Sequence, residues 1–304
     1  MHKTHGASTI AQWLRDFSGA LSHEDLSPVT VRGYLSDLGM FVAWLTQSRG
    51  DKLRLNRLTK SDLINYREHL IAAKALKPAT VNRRLEALRR FCAWARSQKL
   101  IKTDVAHELK AIRMMRGYSP VGLVEPEVHM LLRAAGQSGH GLAKRNYALI
   151  QLMLQTGLRV GEVAALSITD VQIRGRSGVV RIRQGKEREV PLNATARRAL
   201  GLYVESHRRM GDADPFFTSA RGNRLSTRTI QAVITELARR AKISRVKVSS
   251  HTLRHTFALN YLRQNPGKLA DLASLLGHGA LDSTAIYTRP SREKLAADLE
   301  PNSL

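Results

Sequence analysis

The sequence of 304 residues contains a single cysteine, few aromatic side chains and 25 acidic residues against 49 lysines and arginines. Because Cys92 stands alone, a disulfide within the chain and a cluster of thiolate metal ligands are both excluded. No run of about 18 apolar residues occurs that could span a membrane, and the N-terminus shows no apolar segment of the signal-peptide kind. These absences predict a soluble, cytoplasmic protein that does not use a membrane.

The formal net charge is +24 and the pI is near 11.0. Such an excess of positive charge is typical of proteins with a polyanionic partner, most often a nucleic acid. A solvated basic surface or binding to an anionic membrane remains an alternative on charge alone. Both halves of the chain are basic, so we expect both to touch the partner.

An internal repeat organises the first third of the chain. "LSPVTVRGYLSDLGMFVAW" (Leu26–Trp44) and "LKPATVNRRLEALRRFCAW" (Leu76–Trp94) share the pattern L-x-P-x-T-V-x3-L-x2-L-x2-F-x-A-W. Each copy places a proline at a suitable first helical turn and then repeats apolar residues at helical spacing. With shorter helical patterns before each copy, residues 1–112 predict an N-terminal bundle of four or five helices.

The polar face of the second copy carries four arginines, Arg83, Arg84, Arg89 and Arg90. A charge run on one helix is usually a solvated surface. In a chain of this net charge we favour contact with a DNA backbone.

Residues 113–124, "RMMRGYSPVGLV", predict a basic linker, and residues 125–304 a second domain. Helical patterns dominate that domain, but "GVVRIRQGKEREVPL" alternates about a Gln184–Gly185 turn and predicts a β-hairpin. The expected fold is therefore mainly α with a small antiparallel β-sheet, an α+β domain that follows an N-terminal helical bundle.

The stretch "SSHTLRHTFA" (Ser249–Ala258) places His251 and His255 four residues apart, a spacing that can bind zinc on a helix. Thr252 stands where a metalloprotease helix needs glutamate, and Arg254 would place a fixed positive charge beside the metal. An anion suits the segment better: if Ser250 caps the helix, His251 lies in the first turn and Arg254 presents a guanidinium one turn later.

Three boxes together resemble the tyrosine recombinase/integrase family. "TGLRVGEVAAL" (Thr156–Leu166) is similar to the first arginine box of that family, and "SSHTLRHTFA" is similar to its H-x-x-R box. "LASLLGHGALDSTAIYTR" (Leu272–Arg289) resembles the third box, in which His278 precedes Tyr287 by nine residues. The boxes follow one another in the family's order, and the likeness covers roughly residues 8–300 because the N-terminal bundle resembles the family's core-binding domain.

The resemblance implies that Tyr287 is the nucleophile and forms a 3′-phosphotyrosyl intermediate with DNA. A phenol with an ordinary pKa is ionised in only about one molecule in a thousand at neutral pH, so it needs a base or a strongly cationic site. Arg159 and Arg254 would clamp the phosphate oxygens. His251 would be the base or hydrogen-bond partner, and His278 a second phosphate ligand.

A lysine of the hairpin protonates the leaving 5′-oxygen in the family. The hairpin here is shorter than the family pattern and offers one lysine, Lys186, to which we assign that role, with Arg183 as a rival for the aligned position. Ser250 stands where the family often has proline.

The resemblance implies a site-specific recombinase that acts on duplex DNA without a metal or nucleotide cofactor. It further implies a homotetramer on DNA, alone or with a second recombinase or an accessory protein, a Holliday-junction intermediate, and two domains that clamp the DNA. Integration, transposition, resolution and inversion all stay open. A topoisomerase-like nicking and closing enzyme and a non-catalytic DNA-binding protein on the same scaffold are the alternatives.

Overall fold

The computed structural model describes residues 10–22, 24, 26, 28–50, 54–113, 120–139, 141–184, 187–206, 214–277, 284 and 287. Contacts divide the chain into two units, Met1–Arg116 and Gly117–Leu304. The domain limits given above stay a prediction, although Leu123, which the sequence placed in the linker, is buried in the core of the second unit. No helix in these ranges is long and apolar enough to cross a lipid bilayer.

The first unit is the helical bundle that the internal repeat predicts. Its α-helices are α1 (Ile10–Ser22), α2 (Pro28–Arg49), α3 (Lys60–Glu68) and α4 (Pro78–Ser97), and a π-helical turn (His69–Ala73) continues α3. The two copies of the repeat form α2 and α4, and each of these helices begins at its proline. At that position the missing N–H removes no helical hydrogen bond, and the fixed φ of proline suits the helix.

Aromatic rings pack the core of this unit. The ring centroid of Phe17 lies 5.4 Å from those of Phe91 and Trp94, so α1 packs on α4 through edge and tilted ring contacts. Cys92 is fully buried in the same core. Burial, assisted by the charge of Asp104, raises the pKa of its thiol to about 12.

The second unit is mostly helical and holds the larger core. Its α-helices are α5 (Glu125–Gly136), α6 (Ala143–Thr156), α7 (Val160–Ala165), α8 (Ala194–Glu205), α9 (Thr227–Arg240), α10 (Ser250–Gln264) and α11 (Leu269–Leu276). Helix α6 is almost wholly buried, and it contacts α5, α8 and α10. It is therefore the central helix of this unit.

A three-stranded antiparallel sheet lies between α7 and α8 in the sequence. Its strands β1 (Val171–Arg174), β2 (Ser177–Ile182) and β3 (Arg188–Pro191) are ordered β1-β2-β3. In β2 the buried Val180 pairs with Val190 of β3, so the predicted hairpin is confirmed. The fold is mainly α with a small antiparallel sheet, as expected.

Candidate active site

A tight turn between α6 and α7 positions Arg159. Gly157 ends α6 in the left-handed conformation, with φ of +64°. A Cβ atom at this position would lie 2.4 Å from Cδ1 of Phe257 on α10, so only glycine allows the turn to pass so close to that helix. Arg159 follows as the N-cap of α7, which places its side chain beside α10 and the end of α11.

The guanidinium of Arg159 is held at the C-terminal end of α11. Its Nη1 donates to the carbonyl oxygen of Leu276 at 3.1 Å and to Oε1 of Glu162 at 3.2 Å. Carbonyl groups at a helix C-terminus carry partial negative charge and attract cations. The side chain is nevertheless 45% exposed, so it can still reach a ligand from solvent.

Arg254 of α10 reaches the same helix end from the interior. Its Nη2 donates to the carbonyl oxygen of Leu276 at 2.8 Å, and its Nη1 donates to that of Gly157 at 2.8 Å. One oxygen, that of Leu276, therefore accepts from both Arg254 and Arg159. Burial and the nearby charge of Arg159 lower the pKa of Arg254 to about 10, which still leaves it protonated at neutral pH. The two cations oppose each other, and an anion bound between them would relieve that cost.

A buried ion pair lies behind the two arginines. Arg188 of β3 donates from Nη1 and Nη2 to the carboxylate of Glu162 at 3.0 and 3.1 Å, and from Nε to the carbonyl oxygen of Leu275 at 2.8 Å. Its guanidinium also packs against Gly277, where a Cβ atom would lie 2.6 Å from Nη1. Arg188 thus links β3, α7 and the end of α11.

Glu162 is the acceptor that joins these cations. Burial alone would raise its pKa, but hydrogen bonds from Arg188 and the backbone N–H of Arg159, together with both guanidinium charges, outweigh burial and lower the pKa. Glu162 is therefore an anion that orients basic groups and does not act as a proton donor at neutral pH.

The N-terminus of α10 begins one residue earlier than the sequence indicated. Ser249, not Ser250, is the N-cap, because its hydroxyl accepts from the N–H of Thr252 and the Thr252 side chain accepts from the N–H of Ser249. His251 accordingly lies at the second position of the helix and is exposed. Its place in the first turn, where N–H groups favour an anion, is as expected.

Tyr287 lies against α10, and its hydroxyl meets His255 rather than His251. The distance from Oη of Tyr287 to Nδ1 of His255 is 2.9 Å, and the ring centroids are 5.5 Å apart. Tyr287 also packs against a small apolar cluster formed by α10 and α11. The family resemblance implied His251 as the base or hydrogen-bond partner, whereas the hydroxyl of Tyr287 contacts His255 in the structure.

Two predicted residues, Lys186 and His278, lie outside the described residues. Arg183, the rival for the position of Lys186, is 59% exposed and its Nε donates to Oδ1 of Asp170 at 2.6 Å. Asp170 also accepts from the N–H of Ser167. Arg183 is therefore tied to the start of β1 by an ion pair.

In the first unit, Arg83 and Arg84 share a buried carboxylate. Arg83 donates to both oxygens of Asp37, and Nε of Arg84 lies 3.7 Å from Oδ1 of the same residue. Burial raises the pKa of Asp37, although both arginines act to lower it. These two side chains link α4 to α2.

Arg89 and Arg90 also have partners within the unit. Nε of Arg89 donates to the carbonyl oxygen of Leu109 at 3.0 Å and its Nη1 to Glu86 at 3.1 Å. Nη1 of Arg90 donates to Glu24 at 2.6 Å. All four arginines thus organise the bundle, and their contact with DNA stays a prediction.

Arg188 is the site residue that sequence reasoning missed. A signal for it exists: Arg188 and Val190 alternate along β3, and Val190 belongs to the core, so Arg188 shares the inward side of the strand. A charged residue on that side must find a buried partner.

Comparison with known proteins places this arrangement among DNA strand-exchange enzymes. A sequence model of the phage integrase family matches residues 122–294, and one of the phage integrase N-terminal SAM-like domain matches residues 10–99. The tyrosine recombinase XerC of Shewanella amazonensis is 33% identical over 288 residues, which cover 94% of each chain. The tyrosine recombinase XerD of Ralstonia nicotianae is 33% identical over 294 residues, 93% of this chain and 91% of the relative.

A solved structure, the XerH site-specific recombinase bound to its difH substrate in a pre-cleavage complex, has the same fold. The TM-score is 0.71 at 20% identity, covering 98% of this chain and 85% of the other. Fold and site together define a DNA strand transferase that uses tyrosine. The chain belongs to the phage integrase family and is a site-specific tyrosine recombinase.

Proposed function

We propose that Tyr287 attacks a DNA phosphate held by Arg159 and Arg254. The observation that carries this assignment is the convergence of both guanidinium groups on the carbonyl oxygen of Leu276. Tyr287 is also close enough for its charge to act on the pKa of Arg254. The nucleophile and the two cations therefore belong to one site.

The reaction exchanges one phosphodiester bond for another. Oη of Tyr287 forms a bond to phosphorus, the bond to the 5′-oxygen breaks, and the phosphate stays on the protein as a 3′-phosphotyrosyl ester. The bond energy is kept in that ester and returned on religation, so no nucleotide is consumed. Two fixed guanidinium groups neutralise the negative charge that grows on the phosphate oxygens, the task that Mg²⁺ performs in other phosphoryl-transfer sites.

The remaining roles are assigned by position. His251, exposed in the first turn of α10, binds a phosphate oxygen beside the N–H groups of the helix terminus. Lys186 donates the proton that the leaving 5′-oxygen needs, and His278 is a second phosphate ligand. Neither metal nor nucleotide cofactor has a part in this scheme.

The partner is double-stranded DNA, which the net charge of +24 favours. Strand exchange between two duplexes requires four active tyrosines, so we propose a homotetramer that acts through a Holliday junction, alone or with a second recombinase or accessory protein. Cytoplasmic DNA is the expected substrate. We also propose that four arginines of α4 contact the DNA backbone while they keep their ion pairs within the bundle: Arg83, Arg84, Arg89 and Arg90.

The test is the capture of a covalent complex on a nicked suicide duplex. Cleavage of this duplex releases a short fragment, and the loss of that fragment prevents religation. Tyr287→Phe should give no adduct. Tyr261→Phe is the matched control and should form the adduct as the unaltered chain does. Tyr261 packs in the same small cluster on α10 and has no proposed chemical role. Absence of adduct with the unaltered chain, or equal adduct with Tyr287→Phe, would contradict the assignment.

A strand-exchange assay with two distinguishable duplexes then separates recombination from nicking and closing alone. Recombinant products with both ends exchanged support the proposal. Relaxed or religated parental duplexes without recombinants would instead indicate a topoisomerase-like enzyme.

A further inference from the structure

The hydroxyl of Tyr287 has an imidazole partner that the roles assigned above do not use. Nδ1 of His255 lies 2.9 Å from Oη of Tyr287, within hydrogen-bond reach of the proton that the nucleophile must lose. His255 is half-buried on α10, one turn deeper than the exposed His251. Residues four apart share a face of a helix, so both imidazoles border the phosphate site at different depths.

We propose that His255 is the base that accepts the phenolic proton of Tyr287, while His251 binds a phosphate oxygen. This inference rests on Tyr287 being the nucleophile, as proposed above. The acceptor atom is Nδ1, so the neutral ring carries its hydrogen on Nε2.

The surroundings of His255 keep it in the form that such a base requires. Burial lowers its pKa, and the charges of His251 and Arg254 lower it further, so the ring is neutral at neutral pH. Among the residues that the structure describes, the titratable groups that face it are these two residues of its own helix and Tyr287. A ring that was already protonated could not take the proton from Tyr287.

Binding of DNA strengthens this base. Arg254 opposes protonation of His255 because both would be cations in a partly buried site. A phosphate bound to Arg254 brings a negative charge that offsets this repulsion, so the pKa of His255 rises when the substrate is in place. The base is thereby weak in the free protein and stronger when there is a phosphate to attack.

Atoms and charge balance in this step. The O–H bond of Tyr287 breaks as its oxygen bonds to phosphorus, and the proton moves to Nδ1 of His255, which becomes an imidazolium. The 5′-oxygen leaves with a proton from the separate acid. On religation the imidazolium returns its proton to the phenolate oxygen that departs from phosphorus.

The experiment is single-turnover cleavage of the nicked suicide duplex over a range of pH, at saturating protein, with His255→Ala and His255→Asn. Asparagine keeps a hydrogen-bonding group near Tyr287 but cannot accept a proton. We expect both variants to bind DNA as the unaltered chain does and to form adduct about 10²-fold or more slowly at neutral pH. Their rates should continue to rise with pH where that of the unaltered chain has levelled off, and added imidazole should restore part of the rate of His255→Ala.

Three results would overturn the inference. The first is a His255→Ala rate equal to that of the unaltered chain. The second is a His255→Asn rate equal to that of the unaltered chain, which would reduce His255 to a positioning role. The third is unchanged levelling with pH in both variants. If the unaltered chain forms no adduct, or Tyr287→Phe forms it equally, the proposed function itself fails, so the two failures are distinguishable. Normal DNA binding by mobility shift excludes misfolding as the cause of a slow rate.

Discussion

Replacement of Arg188 by methionine tests the buried ion pair beside Arg159 and Arg254, the two arginines that are proposed to bind the phosphate. Arg188 and Glu162 are 10% and 6% exposed, and two hydrogen bonds join them. Removal of one partner of a buried pair costs about 3–5 kcal/mol because the other charge is left uncompensated. Glu162 retains the backbone N–H of Arg159 at 2.7 Å and its Nη1 at 3.2 Å, so we expect the low end, about 3 kcal/mol.

The assay is chemical and thermal unfolding, which measures the free energy of unfolding and the melting temperature of the second unit. A loss of about 3 kcal/mol lowers the melting temperature by roughly 6–12 °C for a unit of this size. Arg239→Met is the matched control, because Arg239 pairs with Glu236 on the surface with 72% of its side chain exposed, and solvent screens such a pair so strongly that its loss should leave the melting temperature nearly unchanged.

A double variant separates a lost charge pair from lost packing. Replacement of both Arg188 and Glu162 by methionine removes both charges, so it should be less destabilised than Arg188→Met alone. If Arg188→Met costs no more than Arg239→Met, or if the double variant is as unstable as the sum of the single ones, the account of this pair is wrong.

Three further predictions concern single residues. The lowered pKa of Glu162 contributes stability that is present above the ordinary glutamate pKa and is lost as pH falls through the pKa of the folded state. Glu162→Gln removes this contribution, so the loss in free energy of unfolding should be smaller in acid than at neutral pH. A loss that does not change with pH would contradict this. Gly157→Ala should cost at least about 1–2 kcal/mol, from its positive φ and the contact with Phe257, whereas Gly161→Ala, with nothing within 4 Å, should be neutral or stabilising, and equal effects would refute the steric argument. Cys92, fully buried with its thiol pKa raised to about 12, should react with a thiol reagent only after unfolding, and rapid labelling of the folded chain would contradict its burial.

Local sequence was enough to predict the elements that carry the site. Proline at the start of each repeat and apolar residues at helical spacing gave α2 and α4, and alternation about Gln184–Gly185 gave the hairpin. Gly157 ends α6 in a left-handed conformation that excludes most other residues. These signals depend on a few neighbouring residues, which is why one sequence suffices to read them.

Partners that are distant in the sequence could not be predicted in the same way. Arg83 binds Asp37 on another helix, and Arg188 binds Glu162 across the fold, so charges that look solvated are in part buried. The choice between His251 and His255 as partner of Tyr287 likewise depends on where Tyr287 meets α10, and helical spacing alone favours neither.

The start of α10 could be predicted from the sequence only to within one residue. Both Ser249 and Ser250 can cap a helix, and the sequence interpretation chose the second. The reciprocal bonds between Ser249 and Thr252 decide for the first, since they satisfy two N–H groups at once. The sequence signal for this start is Thr252, which stands three residues after Ser249.

The central claim is that Tyr287 carries the DNA strand during the reaction. The most direct measurement is proteolysis of the trapped complex, followed by mass spectrometry of the peptide that retains a nucleotide. The account predicts a phosphotyrosyl bond at Tyr287, attached through a 3′-phosphate. A nucleotide on any other residue, or one attached through its 5′-phosphate, would contradict it.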